Sequence, residues 1–266
     1  MRFLRYPGGK SKLLSFLINY LPNNRQIKGT YIEPFIGGGS VFFHIQPNSA
    51  LISDLNTELI TLYKGIKLYP YKVWETFESF PSGKVAYYQV RDKNINSKPL
   101  YYKAARTLYL NRTCFKGMWR HNNKGDFNVG YGGEERRWVI TNQSIIELSK
   151  IFRKADILNS DFENVISNAS KNDFIFLDPP YKPGEKHLNE LHYCNGRFLF
   201  EEQVRLAETL KSLPKVKRIH WAMTNSSHKD ILKLYKRFKI IKIPFGTSDK
   251  PGIQTKNSGE VLITNY

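Results

Sequence analysis

The stretch that most constrains this chain is Phe174-Ile175-Phe176-Leu177, four apolar residues in a row that stop at Asp178-Pro179-Pro180-Tyr181. A strand with one wet face alternates polar and apolar side chains. An unbroken apolar run fits a central parallel strand covered on both faces. Proline cannot donate to a strand ladder, so the strand must end here. In an open parallel sheet, ligands bind beyond the carboxyl ends of the strands, which puts residues 178–181 where chemistry is expected.

The rest of the chain keeps that rhythm. Residues 31–35 form a short apolar run that meets Gly37-Gly38-Gly39 and then Ser40, which reads as strand, tight turn and helix start. Residues 50–53 predict a second strand ending at Asp54. Residues 55–69 carry Leu59, Leu62, Tyr63 and Ile66 at helical spacing, which completes a parallel βαβ unit. From about residue 71 to 150 the rhythm breaks into helical pieces around a polar, aromatic, basic segment at 111–122. Strands resume at 156–158, 174–177 and 218–223, and 239–244 with 260–266 predict a closing pair joined by a basic loop at 246–259. The fold class is therefore α/β, a Rossmann-like sheet with an inserted, mainly helical module. The expected division is 1–54 with 152–266 for the sheet and 55–151 for the insertion.

Charge points to the partner. Lys and Arg number 41 against 23 Asp and Glu, a net charge of +18, which asks for a polyanion such as a nucleic acid. No stretch approaches the ~18 consecutive apolar residues of a membrane span, and the N-terminus lacks the apolar core of a secretory signal. A cytoplasmic protein without a membrane partner is expected. The two cysteines, Cys114 and Cys194, form no CxxC pattern, so no metal site is expected.

The residue types after the central strand suit one kind of reaction. The lone pair of adenine N6 is delocalised into the ring, so the amine is a poor nucleophile until both its hydrogens are held. Asp178 and the Pro179 carbonyl would accept them, aiming N6 at an electrophile by positioning and electrostatics. Tyr181 would stack on a base turned out of the helix. The glycine cluster lacks the third glycine of a dinucleotide fingerprint. Asp54, at the end of the next strand, stands where a ribose hydroxyl pair is bound, so the cofactor is expected to be a nucleoside. Gly9-Lys10-Ser11 is no P-loop, because Leu4 occupies the position of the required first glycine. Lys10 instead suits the carboxylate of an amino-acid tail on such a nucleoside, and Tyr6 the apolar stem of that tail.

Taken together and in order, Arg5-Tyr-Pro-Gly-Gly-Lys10, Glu33-Pro-Phe-Ile-Gly-Gly-Gly-Ser40, Asp178-Pro-Pro-Tyr181 and Thr224-Asn-Ser-Ser227 resemble the Dam-type (D12 class, alpha-group) DNA adenine-N6 methyltransferases, restriction-system enzymes included. The resemblance runs over nearly the whole chain. It implies a seven-stranded sheet that binds S-adenosylmethionine and is interrupted by a target-recognition domain over 55–151. Catalysis would rest on Asp178, Pro179 and Tyr181. The co-substrate would contact Tyr6, Lys10, Phe35, Gly37, Gly39, Asp54, Asp161, Phe162 and Asp178. The segments 115–120 and 124–131 look like the family's DNA-reading β-hairpin and suggest Lys116, Met118, Trp119, Arg120, Asn122 and Tyr131 as DNA contacts. Arg120 suits a guanine edge, with a phosphate contact as the alternative. Tyr6 stands where some members have tryptophan, Lys116 where asparagine is usual and Gly130 where proline is usual, so GATC is one candidate site. The implied reaction is in-line methyl transfer to a flipped adenine in a short duplex sequence, with a cognate restriction endonuclease as a possible separate partner. RNA adenine and cytosine-N4 methylation on the same fold stay open, as does an idle DNA-binding module. Aspartate at 178 weighs against cytosine-N4, where serine is more usual.

Overall fold

The computed structural model describes residues 3–6, 8–122, 125–181, 192–193, 196–244, 246–247, 254–255 and 258–266. Pro7, Lys124, Cys194 and most of the basic loop at 246–259 lie outside the described residues. Seven strands build one sheet: β1 (Tyr31–Glu33), β2 (Ala50–Ser53), β3 (Ala155–Leu158), β4 (Phe174–Leu177), β5 (His220–Ser226), β6 (Lys239–Lys242) and β7 (Glu260–Thr264). Their spatial order is β3-β2-β1-β4-β5-β7-β6. Pairing is parallel from β3 across to β5, and β7 runs antiparallel to both neighbours. The chain moves outward from β1 to β3 and then returns to lay β4 beside β1. That reversal is the topological switch point at which open α/β sheets bind ligands.

Side chains alternate between two buried faces with the strand period of two. Phe174, Phe176, Ala222 and Leu262 join one apolar cluster, while Ile175, Leu177, Trp221, Met223, Val261 and Ile263 join the other. The helices are α1 (Leu14–Leu17), α2 (Ser40–Ile45), α3 (Thr57–Leu68), α4 (Pro70–Ser79), α5 (Lys84–Asp92), α6 (Leu100–Thr113), α7 (Asn142–Phe152), α8 (Phe162–Ser167), α9 (Phe200–Ser212) and α10 (Lys229–Leu234). Phe42 of α2, Leu59 of α3 and Phe152 of α7 cover the first face; Val165 of α8, Leu206 of α9 and Ile231 of α10 cover the second. Each such side chain contributes about 1.5–3 kcal/mol on burial. No helix among the described residues is long and apolar enough to cross a membrane.

The helices of the middle region share the first core. Val73, Phe77, Tyr87, Leu108 and Tyr109 belong to the same cluster as Phe42 and Phe152. Helices α3 and α6 cross so closely that a Cβ on Gly65 would overlap the Cβ of Ala104. Arg137 is wholly buried and donates to the carbonyls of Phe77 (3.0 Å) and Phe80, with its guanidinium 4.8 Å from the Tyr109 ring centroid. Arg106 and Arg112 are buried too, each donating to a carbonyl. Part of the positive charge counted toward a polyanion therefore ties this region together.

Three expectations from sequence shift. Strand β1 stops at Glu33 and not at 35, because Pro34 has no N–H to give. Strand β5 spans His220–Ser226, which carries Thr224-Asn225-Ser226 into the sheet; β7 supplies the partners, with Glu260 opposite Ser226. The expected hairpin is an irregular ribbon held by two isolated antiparallel bridges, Cys114 to Tyr131 and His121 to Phe127. Left-handed backbone at Lys116 (φ 52°) and Gly117 (φ 64°) interrupts the ladder between them.

Candidate active site

Parallel strands present their carboxyl ends at one edge, so Glu33 ends β1, Asp54 follows β2 and Asp178 follows β4 on the same side. Antiparallel β7 brings its first residue, Glu260, to this edge. Asp178 Oδ1 lies 2.8 Å from Lys10 Nζ and accepts from Thr224 Oγ1 at 2.7 Å. Lys10 Nζ also donates to the Gly8 carbonyl (3.0 Å) and lies 4.9 Å from the centroid of the Tyr181 ring. Asp178 Oδ2 carries no hydrogen bond among the described residues. Gln203 Nε2 donates to the Pro180 carbonyl (3.0 Å), and its own Oε1 accepts from Asn225 Nδ2 (2.9 Å). The Pro180 carbonyl is thus engaged, while no described residue donates to that of Pro179.

Tyr181 O–H donates to Glu260 Oε1 at 2.7 Å. Burial, with the charges of Glu260 and Asp178 added, holds the phenol well above its ordinary range, so it remains a donor. Burial likewise raises the Glu260 carboxyl, against the pull of Lys10. Glu33 accepts from Tyr31 O–H at 2.5 Å, and burial pushes its carboxyl well up.

A second group of residues shapes a cradle beside these acids. Asp54 accepts from Gly37 N–H (3.0 Å) and Asn56 N–H (2.9 Å), tying the glycine turn to the end of β2. Burial raises its carboxyl to about 6. Tyr6 lies against the turn: a Cβ on Gly37 would come within 3.3 Å of its ring, and one on Gly38 within 3.1 Å of its Cβ. Phe35 packs on Phe162 with centroids 5.3 Å apart, and Phe198 stands 5.8 Å from Phe35. Asp161 caps α8 and takes both arms of Arg205, at 2.8 and 2.9 Å, while that guanidinium covers the Phe162 ring at 4.1 Å. A buried carboxylate, a pair of packed aromatic rings and a tight glycine turn fit a nucleoside with a charged methionyl tail, which is the chemistry of S-adenosylmethionine.

The ribbon divides by exposure. Lys116, Met118, Arg120 and Asn122 point outward; Trp119 and Tyr131 are half-buried. Trp119 packs on Tyr6 (5.7 Å) and Tyr131 on Tyr87 (5.4 Å). Arg120 Nε donates to Asn128 Oδ1 at 2.9 Å, and Asn122 closes the turn through the backbone N–H of Asp126 (3.0 Å). His121 Nε2 meets Glu58 Oε2 at 2.9 Å in the first turn of α3. The ribbon thereby docks on the edge that carries Tyr6 and Asp54.

Tyr6, Lys10, Gly37, Asp54, Asp178 and Tyr181, all expected from their motifs, gather at this edge. Glu33, Gln203, Thr224 and Glu260 join them without having been expected. Glu33 and Thr224 stand inside motifs that were already informative. The signal for Glu260 is an acid opening an otherwise apolar strand, Glu260-Val261-Leu262-Ile263.

The sequence matches the family model for D12 class N6 adenine-specific DNA methyltransferases over residues 6–244. It is 34% identical to the Type II methyltransferase M.MjaIII of Methanocaldococcus jannaschii, over 99% of this chain and 98% of that protein. Identity to the Type II methyltransferase M1.LlaDCHI of Lactococcus lactis subsp. cremoris is 32%, over 99% and 95%. The DNA adenine methylase of Escherichia coli (strain K12) is 29% identical over 96% of this chain and 91% of that protein.

Proposed function

The chain belongs to the D12 class N6 adenine-specific DNA methyltransferases, and from that premise we propose that it turns an adenine out of duplex DNA and methylates it directly within one short sequence. The observation that carries this reading is the pair of open acceptors, Asp178 Oδ2 and the Pro179 carbonyl, at the switch point beside the Tyr181 ring. One acceptor for each N6 hydrogen localises electron density on the nitrogen, which is worth several kcal/mol where water is excluded. Tyr181 supplies a face for the extruded base and offsets part of the few kcal/mol that unstacking costs.

S-adenosylmethionine, the co-substrate that the family implies, supplies an electrophilic methyl group when bound. Asp54 would accept its ribose hydroxyls, Phe35 and Phe162 would flank its adenine, and Tyr6 with Gly37 and Gly39 would line its tail. Lys10 and Thr224 fill one oxygen of Asp178 and so turn the other toward the base. Asp161 acts in this reading by holding Arg205 against Phe162.

Residues 55–151 serve as the target-recognition region on a catalytic unit of 1–54 and 152–266. Lys116, Met118, Arg120 and Asn122 face the DNA, with Arg120 reading a guanine, and Trp119 and Tyr131 brace the ribbon. GATC is the candidate sequence. The enzyme works in the cytoplasm of a bacterium, as a bacterial or a phage-encoded protein, and the Type II names of two relatives support a restriction-modification setting with a separate endonuclease. The test is incubation with tritiated S-adenosylmethionine and unmethylated genomic DNA, followed by sequencing that reports N6-methyladenine in context. Methylation confined to one short motif supports the reading and names the site. Label on RNA or on cytosine would overturn the substrate.

A further inference from the structure

Glu260 is an expensive residue in its place. It opens β7, whose five residues are all buried, and a buried carboxylate costs several kcal/mol unless it is well paired. One oxygen accepts from Tyr181; the other, Oε2, is buried with no hydrogen-bond partner among the described residues. An apolar residue would fill this end of the strand at less cost, so the packing of β7 does not account for the acid.

The tyrosine does. A tyrosine ring has a single polar point, the hydroxyl at the end remote from the backbone. The backbone end of Tyr181 is fixed by Pro179 and Pro180, with the Pro180 carbonyl held by Gln203 at 3.0 Å. Glu260 holds the far end at 2.7 Å, and Lys10 lies 4.9 Å from the ring centroid. Two anchored ends fix the long axis of the ring, and Lys10 over its face limits rotation about that axis. We infer that Glu260 is a positioning residue for methyl transfer, acting through the Tyr181 hydroxyl to set the angle at which the target base rests. This rests on the reading of Tyr181 as the platform for that base.

The experiment uses the full chain with saturating S-adenosylmethionine and a duplex carrying either adenine or fluorescent 2-aminopurine at the methylated position. Tyr181→Phe and Glu260→Leu are each expected to slow single-turnover methylation by about tenfold to a hundredfold, the scale of a misplacement near 1 Å. Both should shift the fluorescence of bound 2-aminopurine while DNA affinity stays within about twofold. The double variant should be no slower than either single one, because both remove the same bond. Glu260→Gln keeps an acceptor for the hydroxyl and should recover most of the rate. Should Glu260→Leu fail to fold, Tyr181→Phe and Glu260→Gln carry the test. An unchanged rate in Tyr181→Phe, unmoved fluorescence, no recovery in Glu260→Gln, or losses that multiply in the double variant would each overturn the role of Glu260 alone. A wild-type protein that leaves adenine unmethylated would overturn the platform reading and this inference with it.

Discussion

Lys10 Nζ stands 2.8 Å from Asp178 Oδ1, the same oxygen that accepts from Thr224 at 2.7 Å, and Oδ2 is left open. One carboxylate is thus split between two tasks. A saturated oxygen fixes the rotamer, and in the proposed reading the open one receives a donor that arrives with the substrate. The asymmetry comes from the tertiary fold, since Lys10 precedes the first strand and Thr224 sits in the fifth.

The substitution Asp178→Asn tests that division. The side-chain amide would keep the shape of the carboxylate but could present an N–H toward the base amine. Single-turnover methylation should fall by about a hundredfold or more, near 3 kcal/mol, with DNA affinity unchanged. A gel-shift titration beside the rate measurement checks both. Retained turnover would remove Asp178 from base activation.

Asp54 predicts opposite pH trends for folding and for binding. Its folded-state pKa of about 6 lies above the ordinary 3.8. The contribution of this group to folding is therefore complete below 3.8 and is lost as pH rises through 6. Holding a ribose diol requires the carboxylate, so affinity for S-adenosylmethionine should drop by about tenfold for each pH unit below 6. Calorimetric titration between pH 5 and 8 measures it. Asp54→Asn should bind weakly at every pH, and a flat wild-type profile would contradict the role.

Gly39 is the N-cap of α2 with φ +67°, and a Cβ there would sit 2.7 Å from the Phe43 ring. Gly39→Ala combines left-handed strain with that overlap and should cost about 1–3 kcal/mol. The expected loss in thermal midpoint is about 2–4 °C per kcal/mol for a chain of this size. Differential scanning calorimetry would show it, and an unchanged midpoint would mean that the turn rearranges freely.

Arg120 carries the specificity prediction. Arg120→Ala should lose about 1–3 kcal/mol against DNA with the cognate guanine and relax preference at that position. Lys116→Ala, if Lys116 meets phosphate, should weaken all sequences alike and flatten the salt dependence. Competition binding with single-position DNA variants separates the two. A uniform loss in Arg120→Ala would make it a phosphate contact.

Much of this architecture is legible before folding. The apolar run Phe174–Leu177, the glycine turn and the helical spacing of Leu59, Leu62, Tyr63 and Ile66 are local signals, and each predicts an element that the structure contains. The boundary at Ser226 was not legible, because β5 extends only where β7 pairs with it. Nor was the broken ribbon at 114–131, because left-handed Lys116 leaves no mark in composition.

The sequence by itself determined the element types, the placing of Asp178 and Tyr181 at a strand end, and the kind of chemistry those residues suit. Turn chemistry and hydrophobic period act over a few residues, so they can be read in one dimension. Tertiary structure alone decided the pairings: Lys10 with Asp178, Glu260 with Tyr181, Trp119 on Tyr6, and Arg137 inside the core instead of on DNA. The Glu260 pairing depends on the insertion of antiparallel β7 between β5 and β6, while Arg137 is seated by Phe77 of α4 and Tyr109 of α6. Where a buried charge finds its partner is settled by the packing of distant segments, and no local pattern encodes it.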